Sequence, residues 1–145
     1  MNRFLLGVLF VTVMATSSAD DIGNIFPFTF TEYGLETEGV DFGQVPQGSF
    51  HQRFIVITNT SNLKVKDVAV RISGNYRASN CMSSFLPGDS CMLILNYTAP
   101  GHISRDKKWL TIEFSVLLPD GIKYSDAQRL LVIGGALESA NEDPA

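Results

Sequence analysis

The sequence predicts an all-β protein, an antiparallel β-sandwich of about seven strands, and three observations support this prediction. Apolar and polar residues alternate along much of the 145-residue chain, as they do in strands with one buried face. Turn-forming residues separate the alternating segments at short intervals. Helical spacing of apolar residues is hard to find. Short strands without intervening helices are typical of two antiparallel sheets packed face to face.

The first predicted strand lies in IFPFTFTEY, where Phe26, Phe28 and Phe30 alternate and are expected on one face. Pro27 lacks an amide donor, which favours the edge of a sheet. We expect the three rings to pack on the chain's own sandwich, because exposing them together would leave an unusually large apolar patch. The other possibility is that FPFTFT adds as a strand to the open sheet edge of a partner.

Three further segments are predicted to be extended in the middle of the chain. GVDFG at 39–43 is short. HQRFIVITN at 51–59 contains four consecutive apolar residues, 54–57, and this run predicts a strand buried on both faces. In VKDVAVRIS at 65–73, alternate apolar residues share one face: Val68, Val70 and Ile72.

The last strands show the clearest alternation. CMLILNY at 91–97 places every second residue inward, and WLTIEFSVL at 109–117 does the same. A Pro-Asp-Gly turn at 119–121 follows, because proline presets its own dihedral angle and glycine accepts the left-handed one. A final strand from Gln128 to Ile133 completes a terminal hairpin. The inward residues of the 109–117 segment are expected to be Leu110, Ile112, Phe114 and Val116.

The predicted organisation is a signal peptide at 1–19, one sandwich domain at 20–137 and an acidic, disordered tail at 138–145. Arg3 precedes an apolar run of 12 residues, and small residues ending at Ala19 follow, which is the layout of a cleaved secretory signal. A spanning helix needs roughly 20 apolar residues. We therefore expect a periplasmic or secreted protein with no membrane insertion after cleavage.

The charge balance excludes some classes of partner. The chain carries 11 Lys and Arg against 15 Asp and Glu, a net charge of −4. Nucleic acids and anionic membrane surfaces attract clustered positive charge. We expect no nucleic-acid partner.

Cys81 and Cys91 are predicted to form a structural disulfide bond, because paired thiols are the usual state in a small exported domain. Closing this loop would stabilise the fold by about 3 kcal/mol. A redox pair would be expected at closer spacing, at the start of a helix. A zinc site needs about four ligands, and the chain has only two Cys and two His.

Copper is the sharper alternative for the cysteines. Met82 and Met92 adjoin them, and His51 could approach. Neighbouring residues of a strand point to opposite faces, however, so Cys91 and Met92 would not easily share one metal ion. We expect no metal and no cofactor.

Four segments in this order, VDFGQVPQGS, FIVITNTSN, C…LPGDSC and MLILNYTAP, resemble the bacterial secreted modules called choice-of-anchor D. These modules are related to the ASH domain of hydin-like ciliary proteins and to the major-sperm-protein and pilus-chaperone sandwiches. The resemblance covers roughly residues 39 to 117. Ser61 stands where a turn glycine is usual, and Pro100 lies one place later than in many members. The matching positions are Phe42, Gly43, Gly48, Asn59, Cys81, Leu86, Pro87, Gly88, Cys91, Tyr97 and Pro100.

The resemblance implies an immunoglobulin-like sandwich with a scaffolding or binding role. It transfers no binding residues, because the family shares a scaffold and not a site. The expected function is therefore a non-enzymatic module for protein binding or envelope assembly, with another envelope or extracellular protein as its partner. The alternative is a periplasmic chaperone-like or copper-handling protein.

One segment is a candidate for binding. HISRDKKW at 102–109 places Arg105, Lys107 and Lys108 beside Trp109, the only tryptophan. Cations next to an aromatic ring could bind an acidic glycan or a peptide. The simpler interpretation is a solvated loop whose lysines discourage edge-to-edge aggregation.

Catalytic residues are not evident. His51 and His102 lack a recognisable nucleophile nearby, and a triad needs a nucleophile, a base and an orienting acid together. Two glycosylation sequons begin at Asn59 and Asn96, and they matter only in a eukaryote.

Overall fold

Nine strands in two facing sheets make up residues 26–138, the part of the chain that the computed structural model describes. The two all-β layers confirm the predicted sandwich. The predicted signal peptide at 1–19 and the tail beyond Glu138 lie outside the described residues. In chain order the strands are β1 (Phe28–Glu32), β2 (Leu35–Glu36), β3 (Gly39–Val45), β4 (Phe50–Asn59), β5 (Val65–Arg71), β6 (Tyr76–Ala78), β7 (Ser90–Thr98), β8 (Ser104–Leu117) and β9 (Lys123–Ala136).

The front sheet has the strand order β2-β1-β4-β7-β6, and the back sheet has the order β3-β9-β8-β5. All pairs of the front sheet are antiparallel, whereas β3 runs parallel to β9 in the back sheet. The expectation of a purely antiparallel sandwich is therefore wrong for that pair. Alternation predicts which face a side chain takes, but it says nothing about the direction of the neighbouring strand. Within residues 26–138 no helix is long and apolar enough to cross a membrane.

The hydrophobic core fills the space between the sheets, and the strongest alternations in the sequence supply it. The predicted inward residues of the 109–117 segment are all buried, which confirms the orientation of β8. In β7 the alternate residues Leu93, Leu95 and Tyr97 are likewise buried and belong to the same core. The core members from β4, β7 and β8 with no exposed surface are Ile55, Ile57, Leu93, Leu95, Tyr97, Leu110 and Ile112.

The prediction that β4 is buried on both faces is wrong within the described residues. Ile55 and Ile57 are fully buried, but Phe54 is 45% exposed and Val56 is only half-buried. Phe54 and Val56 point away from the core, onto the outer face of the front sheet. A consecutive apolar run predicts two apolar faces correctly, but it does not show what covers the second face.

The phenylalanines of the first strand pack on the chain's own sandwich, as expected for two of the three. Phe28 and Phe30 are 4% and 5% exposed, whereas Phe26 is 58% exposed and lies just before β1. The side-chain amide of Gln128 on β9 donates to the Phe28 carbonyl at 2.7 Å and accepts from the Phe28 amide at 3.1 Å. This reciprocal pair ties the edge of β1 to the back sheet.

The terminal hairpin is longer than predicted. β8 and β9 have 14 residues each, and β8 begins at Ser104 instead of at Trp109. The interpretation of 102–109 as a solvated loop is therefore wrong for residues 104–109. The four consecutive charged residues 105–108 have the composition of a loop, but they form the end of a long strand, where both faces can carry polar side chains.

The disulfide bond between Cys81 and Cys91 is present, with Cα atoms 5.8 Å apart. It joins the loop after β6 to β7, which confirms the predicted pairing. Within the closed loop, Phe85 is fully buried and exchanges two backbone hydrogen bonds with Val65 of β5, at 2.8 and 2.9 Å. The loop therefore contributes to the core and connects the two sheets.

Asn59 is a fully buried structural residue at the end of β4. Its side-chain amide donates to the carbonyl oxygens of Leu63 and Phe85, and its Oδ1 accepts from the Ser61 hydroxyl and amide. These bonds order the turn after β4. The buried amide is consequently no acceptor for a glycan in the folded protein.

Candidate functional site

The outer face of the back sheet collects an aromatic ring, two aliphatic side chains and three cations. This surface, named here the basic aromatic face, is formed by neighbouring residues of β8 and β9. Its members are Arg105, Lys107, Trp109, Arg129, Leu131 and Ile133.

The alternation of β8 places the β8 residues on this face. Leu110 points inward and is fully buried, so Trp109 points outward and is 52% exposed. Lys107 and Arg105 precede it at intervals of two and are also exposed. A regular strand therefore presents the three side chains in one line.

The register between β8 and β9 completes the face. Trp109 lies opposite Leu131, and Lys107 lies opposite Ile133. Residues directly opposite each other in an antiparallel pair point to the same side of the sheet. Leu131 and Ile133 are half-buried, so an aromatic ring and two aliphatic side chains form a continuous apolar strip.

Arg129 is held over the tryptophan ring. Its guanidinium carbon lies 5.9 Å from the centre of the Trp109 ring, within the range of a cation–π contact. Because an arginine presents five N–H donors, a guanidinium fixed by the ring can still donate to a carboxylate. The contact leaves the ring less accessible for stacking with a sugar.

The carboxylates near this face have other partners. Glu113 on β8 accepts from Arg71 on β5 at 3.1 Å. Asp41 on β3 lies opposite Ile133 of β9, and its carboxylate accepts from the Gly43 amide at 2.7 Å. Among residues 26–138, no carboxylate lies within ion-pair distance of the three cations of the face, Arg105, Lys107 and Arg129.

Lys108 is separated from the other predicted binding residues. It follows Lys107 on β8 and points to the opposite side, toward the turn at Gly74, where a Cβ atom would lie 3.0 Å from the Lys108 side chain. Three of the four residues predicted for binding thus share one face. Arg129 was missed because it lies 20 residues after Trp109, and only the strand register brings the two together.

The cysteines and histidines do not contribute to this face. The disulfide lies on the front sheet, at β7, and both sulfurs are bonded to each other. The ring of His51 is 2.8 Å from the Ser49 hydroxyl, which in turn donates to the Pro46 carbonyl at 2.5 Å. Within the described part of the chain no group of three metal-ligating side chains occurs.

Several solved structures resemble this fold. The ASH / PapD-like domain of human CEP192 (PapD-like domain 7) is 11% identical, with a TM-score of 0.55 over 78% of this chain and 87% of that chain. The Vibrio cholerae VesB protease is 10% identical, with a TM-score of 0.50 over 75% of this chain but only 32% of that chain. No family model matches the sequence, and no curated protein matches it.

These likenesses define the class of the fold and nothing finer. The protein has an immunoglobulin-like β-sandwich fold, similar to that of the ASH / PapD-like domain. At such identities the comparison shows the scaffold alone, and a scaffold of this class is compatible with a binding module. The resemblance to choice-of-anchor D modules stays a prediction.

Proposed function

We propose that the protein is an exported, non-enzymatic module that binds another envelope or extracellular protein through the basic aromatic face. The observation that supports this most directly is Trp109, 52% exposed in the middle of a regular strand. Tryptophan and arginine are enriched among the residues that dominate binding energy at protein interfaces. Here both types occur in contact on one sheet face.

The charges of the face favour an acidic segment of the partner. Arg105, Lys107 and Arg129 surround the apolar strip, and complementary charge in a partner would speed association and fix its orientation. Arg129 lies opposite Thr111, four residues beyond Lys107 on β8. That separation is roughly 13 Å, the distance between residues i and i+4 of an extended peptide.

The proposed ligand is therefore an extended segment with two acidic residues four positions apart and an apolar residue between them. Its acidic side chains would contact Lys107 and Arg129, and the apolar side chain would pack on Trp109 and Leu131. An anionic glycan is the competing ligand. It is less favoured because Arg129 already lies over the tryptophan ring.

Export is part of the proposal and is supported by two features. The apolar run after Arg3 has the layout of a secretory signal. The disulfide is compatible with an oxidising compartment. The copper-handling alternative has less support, because both thiols are used in the disulfide.

Fluorescence anisotropy with a labelled peptide tests the ligand assignment. The probe is Thr-Glu-Thr-Leu-Thr-Glu-Thr, and the comparison is a peptide of the same composition with the two glutamates adjacent. We expect tighter binding of the first peptide and a loss of at least tenfold in Trp109→Ala and Arg129→Gln. Lys64→Gln, an exposed loop cation, is the matched control and should leave binding unchanged.

Photo-crosslinking in the native envelope tests the location of the face. A photoreactive amino acid at position 107 should give an adduct with one protein, and the adduct should disappear when Trp109→Ala is added. The same group at Ile122, a turn residue that is 60% exposed, should give none. Equal adducts from both positions, or preferred binding of oligogalacturonate over the peptide, would contradict the proposal.

A further inference from the structure

The outer face of the front sheet carries an apolar patch that the described chain does not cover. Phe54 lies opposite Ile94, and Val56 lies opposite Met92, so the four side chains form a compact block on β4 and β7. Phe54 is 45% exposed and Met92 is 58% exposed, while Val56 and Ile94 are half-buried. We name these four residues the front apolar patch.

The sequence at this patch is that of a strand buried on both sides. The run 54–57 alternates between the core, which takes Ile55 and Ile57, and the front apolar patch. Strands that are covered on both faces have such continuous apolar runs, whereas a face turned to water is ordinarily polar. The composition of β4 therefore indicates that its outer face is covered in the functional state.

At the Thr58 end of the patch, two pairs of polar residues already have partners. The hydroxyl groups of Thr58 and Ser90 lie 2.7 Å apart, and those of Thr29 and Thr60 lie 2.9 Å apart. A covering surface would not leave these hydroxyl groups without a partner, so the usual cost of burying polar groups is reduced. That end of the patch can therefore be buried without supplying new hydrogen bonds, whereas Asn96, two residues beyond Ile94 on the same face, has an Oδ1 atom without a partner among the described residues.

We propose that the front apolar patch is covered by the same patch of a second copy of the chain. The patch carries no charged residue, so two copies can approach without repulsion between like charges. Glu36 on β2 and Arg77 on β6 lie at opposite edges of the sheet. A two-fold axis that lies between the two facing sheets and runs parallel to the strands places the β2 edge of one copy over the β6 edge of the other. Glu36 of one copy and Arg77 of the other then lie along the same rim of the dimer.

The size of the sheet suits a weak dimer. β4 and β7 are long but β1 and β6 have only five and three residues, so at about 4.8 Å between strands and 3.3 Å per residue the plane is on the order of 400 Å². Standard interfaces bury about 800 Å² per partner, and side chains add accessible area to the plane of a sheet. Aligned packing of two sheets face to face is also a common arrangement.

This inference does not depend on the proposed function, because the basic aromatic face lies on the other side of the sandwich. A dimer of this kind would present two such faces outward, on opposite sides. A partner with repeated acidic segments would then bind with higher avidity.

Sedimentation equilibrium on the chain as it is exported, from about 1 µM to about 1 mM, tests the dimer. We expect reversible dimerisation of the wild type and a dissociation constant at least tenfold higher for both Met92→Lys and Met92→Glu. Mixing the two variants should restore association, because a lysine of one copy then meets a glutamate of the other. Restoration also shows that both variants are folded.

The control pair is Leu117→Lys and Leu117→Glu, on the back sheet, where the wild-type residue is 54% exposed. These variants should dimerise like the wild type. A wild type that stays monomeric over the whole range overturns the proposal. Dimerisation that Met92→Lys leaves unchanged overturns it as well.

Discussion

Arg53 on β4 and Glu32 on β1 form a forked ion pair at the rim of the sandwich. Nε and Nη2 of the arginine donate to the two carboxylate oxygens, the second at 2.7 Å. Nη1 donates to the Asp41 carbonyl of β3 at 2.6 Å, and the guanidinium lies 5.8 Å from the centre of the Phe42 ring. Since β3 belongs to the back sheet, this one side chain connects both sheets. The hydrogen bond to Glu32 raises the pKa of Arg53, so the arginine stays charged.

Replacing Arg53 should destabilise the fold much more than replacing an exposed arginine. In Arg53→Met the Glu32 carboxylate, whose side chain is only 10% exposed, loses its partner, and we expect a loss of about 2–3 kcal/mol. Arg71→Met is the matched control, because the Arg71 side chain is 71% exposed in its pair with Glu113. Its cost should stay below about 1 kcal/mol. Urea unfolding of both variants measures the difference. Equal losses would show that burial of the Arg53–Glu32 pair does not increase its contribution to stability.

Stacked tyrosines beneath the back sheet predict a loss of stability in alkaline solution. The rings of Tyr76 and Tyr97 are stacked, with centres 4.7 Å apart. Burial raises the pKa of both phenols, and the carboxylate of Asp106 adds to the effect. An acid whose pKa is raised by folding stabilises the fold fully below its unfolded value, about 10 for tyrosine. Stability is therefore lost as the pH rises above about 10, toward the folded values.

One titrating tyrosine contributes a slope of at most about 1.4 kcal/mol per pH unit. Tyr76→Phe should reduce the slope, because it removes one of the buried phenols that must ionise. Its weak hydroxyl contact with the Asp106 carbonyl, at 3.5 Å, contributes little at neutral pH. Tyr33→Phe changes a side chain that is 86% exposed and should leave the slope as it is. Urea midpoints between about pH 8 and 11 measure the effect. The prediction fails if Tyr76→Phe and wild type lose stability in parallel.

Particular residues show how far the sequence could lead. The strands around Leu93 and Leu110 were predictable because one polar and one apolar face produce a period of two. The disulfide was predictable because the chain has two cysteines and is expected to reach an oxidising compartment. Two features were not predictable from local pattern: the parallel pairing of β3 with β9, and the contact between Trp109 and Arg129. Both depend on register between distant segments, which alternation alone does not fix.

A glycine next to the stacked tyrosines has a packing role. A Cβ atom on Gly134 would lie 2.8 Å from the Tyr76 hydroxyl oxygen and 3.1 Å from the Tyr97 ring. Both rings are buried, so neither can move aside easily, and Gly134→Ala should cost about 1–3 kcal/mol. Gly101→Ala, where nothing lies within 4 Å of the added atom, is the control and should be nearly neutral.

Combining Gly134→Ala with Tyr76→Phe tests whether the steric contact is responsible. Removing the hydroxyl oxygen takes away the closest atom, so the double variant should lose less stability than the sum of the two single variants. The contact with Tyr97 remains, and the rescue should therefore be partial. Strict additivity would mean that the alanine acts through another contact.

Reduction of the disulfide should release the loop that carries Phe85. The bond between Cys81 and Cys91 closes a loop whose middle is held by the two hydrogen bonds between Phe85 and Val65. The loop-entropy relation gives about 3 kcal/mol for a loop of this length, a large part of the 5–15 kcal/mol typical of a domain. We expect the melting temperature to fall sharply on reduction, and hydrogen exchange at the Val65 and Phe85 amides to increase before that of β8.

Two variants separate the effect of the covalent bond from that of the buried ring. Replacing both cysteines by alanine should reproduce the behaviour of the reduced protein, since it removes the same covalent bond. Phe85→Ala, with the disulfide intact, should cost about 3–5 kcal/mol because its ring is fully buried and lies 5.1 Å from that of Phe28. If reduction leaves exchange at Val65 and Phe85 unchanged, the loop is held by packing alone and the disulfide is not what anchors it.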